Sequence, residues 1–150
     1  MKLKQLIFAM ILSSLTACSA NPSLLKSTQS GMAEGTFVEA SLVEVKNMLI
    51  KSCTQRGRLI REASDHLVIC SKQLNGAENI LAHALIGNSY STPPESVAQF
   101  TLYQSGRDVN VVGSMWLETK MALGQVRKVP LDSPKHVNTI QQALFDLGAY

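Results

Sequence analysis

The chain lacks the motifs that mark most small enzymes. Its three histidines, His66, His83 and His136, form no H-E-x-x-H or i, i+4 pair, so no metalloprotease-type zinc site is written in it. No serine sits in G-x-S-x-G, and neither a G-x-G-x-x-G nor a phosphate-binding loop occurs. Cysteine is scarce, at three residues, with no C-x-x-C spacing, which excludes a thioredoxin-type redox pair and does not resemble a zinc motif. Two carboxylate pairs lie close, Glu62 with Asp65 and Asp108 with Glu118 around a hairpin, and turn and strand-surface roles account for all four. No catalytic, metal or cofactor-binding residue is therefore predicted, and no cofactor. Aromatic residues make up only 5%, and Arg56, Arg58 and Arg61 are the one basic cluster. RNA binding needs a longer basic stripe with stacking aromatics, so nucleic acid is not an expected partner. No apolar run approaches the roughly 20 residues of a permanent membrane helix.

The 150 residues suffice for one domain, and 45% hydrophobic with 17% charged residues excludes a disordered chain, a collagen-like repeat or a coiled coil. The N-terminus stands apart. Lys2 and Lys4 precede an unbroken apolar run from Leu6 to Leu12, extended by Leu15, and small residues then lead to Cys18. This is the layout of a secretory signal peptide. Leu15-Thr16-Ala17-Cys18 resembles the lipobox of bacterial lipoproteins. The resemblance covers residues 1–19. It implies cleavage before Cys18, lipidation of that cysteine and a membrane anchor. Ser19, in place of the aspartate of the inner-membrane sorting pattern, implies the outer membrane, with the domain on the periplasmic side. Cleavage also removes Lys2 and Lys4, two of the three positive charges in the formal net charge of +3.

In an oxidising compartment the two remaining cysteines, Cys53 and Cys70, are expected to form a disulfide, which for a loop of this size stabilises by about 3 kcal/mol. Residues 18–35, rich in Ser, Thr, Gly and Asn, read as a flexible tether, with the domain occupying 36–150.

The domain opens on a helix. Val38, Leu42, Val45, Leu49 and Cys53 fall on one stripe, with Thr36 and Glu39 as a capping box. Two antiparallel strands follow, Leu59 to Ser64 and Leu67 to Lys72, joined at Asp65-His66. The apolar stretch within 79–87 fits either period. A strand is preferred there, because Gly87-Asn88 ends the run within strand length. A hairpin pairs Val97 to Tyr103 with Val109 to Glu118, a loop over 120–132 covers a sheet edge, and a last helix begins at Ser133-Pro134. The predicted class is α+β: a two-layer sandwich of four or five antiparallel strands with two helices on one face, in the order αββ(β)ββα. That order resembles helix-grip and TBP-like periplasmic domains found in outer-membrane assembly lipoproteins.

The helix-free face of such a sheet is open. Alternation along the last strand puts Trp116 and Val112 on it, with Tyr103 joining them from the neighbouring strand. Exposed aromatics favour interaction sites. The sequence thus predicts a non-enzymatic outer-membrane lipoprotein that docks an envelope protein through this face. A cell-wall or small-ligand binding module, a small lipid-anchored hydrolase, and a structural accessory of a secretion or conjugation apparatus are the alternatives.

Overall fold

In the computed structural model residues 22–88 and 91–150 are described, so Cys18 and the signal-peptide segment lie outside the described residues. Along the chain run β1 (Ala33–Phe37), α1 (Leu42–Gln55), β2 (Leu59–Ala63), β3 (Leu67–Gln73), α2 (Gly76–Ile86), β4 (Glu95–Ser105), β5 (Asp108–Lys120), β6 (Val126–Pro130) and α3 (Pro134–Asp146). The class is α+β, built on a 6-stranded antiparallel sheet in the order β1-β5-β4-β3-β2. The outer edge of β5 is shared. Its first half, Val109 to Gly113, pairs with β1, and its second half, Trp116 to Lys120, pairs with β6.

One face of the sheet carries the core. Val68 and Cys70 of β3, Ala98, Phe100 and Leu102 of β4, and Val109, Val111 and Met115 of β5 meet Val45, Leu49 and Cys53 of α1 and Val137, Ile140 and Leu144 of α3. Each large aliphatic side chain buried this way contributes about 1.5–3 kcal/mol. A satellite cluster joins Ala82 and Ile86 of α2 to Leu117 on the same face. The Cys53–Cys70 disulfide, Cα to Cα 6.3 Å, ties the last turn of α1 to β3.

Several elements differ from the sequence reading. The first helix starts at Leu42, and its capping box is Ser41 with Glu44, not Thr36 with Glu39. The Glu44 backbone N–H donates to Ser41 Oγ at 3.3 Å, and Glu44 Oε2 accepts from the Ser41 backbone at 2.9 Å. Thr36 instead lies in β1, where its hydroxyl meets Asn110 Oδ1 at 2.7 Å. Val38 is exposed, and Glu39 turns the chain with φ 48°. The strand preferred within 79–87 is the helix α2. Its residues Ala82, Leu81, Ala84 and Leu85 are strong helix formers, and its buried positions Ala82 and Ile86 stand four apart. Within the loop expected over 120–132, Val126–Pro130 is the strand β6.

The expected tether is shorter than 18–35. Ala33–Phe37 is the strand β1, and the segment before it is held to α3. Asn138 receives the Leu25 N–H on Oδ1 at 2.8 Å and donates from Nδ2 to the Ser23 carbonyl at 2.7 Å. Lys26 Nζ donates to the carbonyls of Glu34 and Tyr150. Thr36 and Tyr150 exchange backbone hydrogen bonds of 3.1 and 3.2 Å, which closes the outer edge of β1.

Candidate docking face

Cross-strand register lays out the helix-free face in rows. Trp116 of β5 stands between Pro130 of β6 and Val97 of β4, and Val97 is followed by Ser71 of β3 and Leu59 of β2. In the next row Lys128, Glu118, Glu95 and Gln73 lie side by side. Trp116, Val112 and Tyr103 all belong to this face, because Val112 and Asn110 share the parity of Trp116 and Tyr103 pairs with Asn110. They do not form one patch. Asn110 lies six residues from Trp116 along β5, about 20 Å, so Tyr103 sits at the far end of the face. Val112 lies between them, opposite Thr101 and Glu34.

The side chains around Trp116 belong instead to a polar cluster. Trp116 Nε1–H donates to Glu118 Oε2 at 3.0 Å, and Arg61 Nη2 donates to Glu118 Oε1 at 2.9 Å. Lys128 Nζ lies 3.8 Å from Glu118 Oε2 and 4.9 Å from the centre of the Trp116 ring, a cation–π distance. Glu118 retains only 8% of its side-chain exposure, whereas Arg61 and Lys128 retain 38% and 58%. Burial alone would push its carboxyl pKa up. The hydrogen bonds from Trp116 and Arg61, with the charges of Arg61 and Lys128, outweigh that and hold the pKa below the usual carboxylate value. Glu118 is thus a fixed anion that accepts hydrogen bonds; general-acid work needs a raised pKa.

Arg61, two residues after Leu59, shares its face, and β2 carries a bulge at this point. Ile60 pairs with Cys70 and Glu62 with Ile69, which leaves Arg61 as the extra residue. Its guanidinium then crosses β3 and β4 to meet β5. The basic cluster expected from the sequence is dispersed by the same fold. Arg56 pairs with Asp146 at 2.8 Å, and Arg58 is tucked against the Ser96 carbonyl at 2.9 Å.

Two hollows flank the cluster. One of about 390 Å³ is lined by Gln99, Ser114, Trp116, Lys128 and Pro130. The other, about 470 Å³, is lined by Leu59, Arg61, Gln73, Glu95, Glu118 and Lys120 among others. Val97 is fully buried on this face even though no helix packs there. The region around Trp116 is therefore a partly filled surface, with Val97 sealed beneath it.

Four other ionisable candidates have local partners. Asp65 binds Lys46 at 2.7 Å, and Asp108 Oδ1 accepts from the Glu39 backbone at 3.0 Å. His66 Nδ1 faces the Leu102 carbonyl at 3.2 Å and His136 Nδ1 the Ser133 hydroxyl at 2.8 Å. Among the described residues no group of three or more His, Cys, Asp or Glu is placed to hold a metal ion. No helix among them is long and apolar enough to cross a membrane. Sequence reasoning did not find Arg61, Lys128 and Pro130 as neighbours of Trp116. The one signal for Glu118 was its spacing of two from Trp116, which sets both on one strand face.

Compared with family models, curated proteins and solved structures, the chain matches none.

Proposed function

We propose that the protein is an outer-membrane-anchored lipoprotein, lipidated on Cys18, whose domain is a non-enzymatic interaction or assembly component of an envelope complex. It docks a protein partner through the helix-free sheet face around Trp116. The observation that carries this reading is the arrangement of Trp116 itself: a lone tryptophan on an open sheet face, fixed at its nitrogen by Glu118 and flanked by Lys128. A pre-positioned aromatic with charged neighbours is the composition of an interface hot spot, because little side-chain entropy remains to be lost on binding.

The test is photo-crosslinking in intact cells from a residue analogue at Gln99, which lines the hollow beside Trp116. A discrete adduct to an envelope protein is expected. Trp116→Ala should reduce it by roughly thirtyfold in affinity, for a hot-spot loss of about 2 kcal/mol. No adduct, or one undiminished by Trp116→Ala, rejects the face. The anchor is tested separately by acyl mass on Cys18 and its loss in Cys18→Ser.

The hollow beside Arg61 supports a second reading, a small-ligand module. It is concave and offers Arg61 and Lys120 together with Glu95 and Glu118, a mixed set suited to a polar, zwitterionic ligand. Binding of cell-wall fragments by titration calorimetry, abolished by Arg61→Ala, favours it over protein docking.

A further inference from the structure

The helix α2 is built inside out by ordinary rules. Ala82 and Ile86 pack against Leu117 and its neighbours, yet larger apolar residues point the other way. Ile80 is 74% exposed, Leu81 65% and Leu85 63%. At 100° per residue Ala77, Leu81 and Ala84 centre the outward side, with Ile80 and Leu85 on its flanks. A surface helix normally turns its polar side outward, and a contiguous apolar face of this kind marks an interaction surface.

The chain itself indicates what covers it. Asn138 of α3 fixes Ser23 and Leu25. Leu131, immediately before α3, packs against the Ala82–Ile86 cluster of α2. The end of the described chain and the outward face of α2 therefore lie on the same, helical side of the sheet. Only residues 18–22 separate a lipidated Cys18 from Ser23. Whatever their conformation, they span at most about 18 Å. The domain cannot stand far from the bilayer, and the side held towards it is the helical one. Leu24 and Leu25 are exposed at that end, 38% and 52%. Lys72 and Arg127, by register on the helix-bearing side of the sheet and both exposed, supply cations beside α2 for lipid phosphates.

We infer that the outward face of α2, with Leu81 at its centre, lies on the surface of the bilayer in which Cys18 is anchored. The inference rests on the anchor proposed above. The helix lies in the interface without spanning it, its leucines set at the boundary of headgroups and acyl chains. The Trp116 face then points away from the membrane.

The test uses the acylated full-length product in phosphatidylethanolamine–phosphatidylglycerol vesicles. Cys53 and Cys70 are bridged and Cys18 is lipidated, so a thiol introduced by Leu81→Cys, or by Thr101→Cys on the opposite face, is the reactive one. Each is labelled with an environment-sensitive fluorophore. The Leu81 label should be blue-shifted and quenched several-fold more by a nitroxide on the acyl chains than the Thr101 label. An acylated, vesicle-floating protein whose two labels are equally quenched by aqueous iodide overturns the inference and leaves the anchor standing. Protein without acyl mass that fails to float overturns both. Leu81→Cys chains that join as disulfide dimers, with the label shielded before vesicles are added, assign the face to a second copy and overturn the bilayer contact.

Discussion

Replacing Glu118 by glutamine tests whether the cluster on the open face is a fixed structural unit. Glu118→Gln keeps the shape and one acceptor but removes the charge that faces Arg61 at 2.9 Å and Lys128 at 3.8 Å. Both cations are well exposed, so each pair is worth only a surface value of about 0.2–1 kcal/mol. The Trp116 and Arg61 hydrogen bonds lose their charge assistance on a nearly buried acceptor, which adds about 1 kcal/mol. The expected loss is about 1.5–3 kcal/mol in urea unfolding. The acid profile supplies a second readout. The Glu118 pKa is lowered in the folded state, so its contribution is complete above the unfolded value of about 4.3 and is lost as pH falls through the folded value. Glu118→Gln should flatten the stability curve in that acid window and leave it parallel to the parent near neutrality. Because Trp116 is the only tryptophan, its emission reports the site directly and should shift on the same substitution. Unchanged unfolding energy, an unchanged acid slope and unchanged emission together refute the claim that Glu118 holds Trp116 in place.

Other perturbations follow from the helical face. A Cβ added at Gly113 collides with Ile140 Cγ2, so Gly113→Val should push α3 off the sheet and cost about 1–3 kcal/mol, partly restored by Ile140→Ala in a double-mutant cycle. Removing the disulfide as Cys53→Ala with Cys70→Ala should lower unfolding energy by about 3 kcal/mol; thiol titration of the unreduced, denatured parent should find neither cysteine free. Leu123 is 99% exposed at φ 69°, a leucine in a conformation that costs about 1 kcal/mol and with no packing to offset it. Leu123→Asn should therefore raise the unfolding midpoint, and a fall instead would show that Leu123 makes a contact that stabilises the fold.

How far the fold could be read beforehand depended on where large side chains sat. The hairpin of β4 and β5 and the helix α3 were legible because Val109, Val111, Met115 and Leu117 alternate, and Val137, Ile140 and Leu144 recur at helical spacing. β1 was not. Its buried positions are Ala33, Gly35 and Phe37, and Gly35 has to be small because a Cβ there would lie 2.6 Å from the Ala149 side chain. Tight packing against the C-terminus thus erased the apolar alternation that signals a strand. With β1 unseen, the first helix took in Val38 and gained a false cap. α2 failed for the opposite reason. Its exposed Ile80, Leu81 and Leu85 fill both faces with apolar residues, and neither period stands out when burial and hydrophobicity are uncoupled.

The docking face shows a different limit. Local alternation was enough to put Trp116 on the helix-free side, and the structure agrees. Which side chains meet there depends on three non-local facts: the register of β4 on β5, the pairing of β6 with the far half of β5, and the register of β2 on β3 that sets where Arg61 lies. None has a periodicity of its own. Leu59 and Arg61 stand two apart, so alternation from Leu59 puts both on the helix-free side; with Leu59 opposite Ser71 the Arg61 guanidinium reaches Glu118, which would otherwise be a buried carboxylate facing only Lys128 and Trp116. Such an anion is costly when underpaired, so the register of β2 and the carboxylate have to be explained together. A register slip of one residue in β2 would break the Arg61 contact and leave Glu118 with a deficit. The cross-sheet ion pair therefore also favours the observed pairing of an edge strand whose exposed Leu59 and Ile60 specify register poorly by themselves.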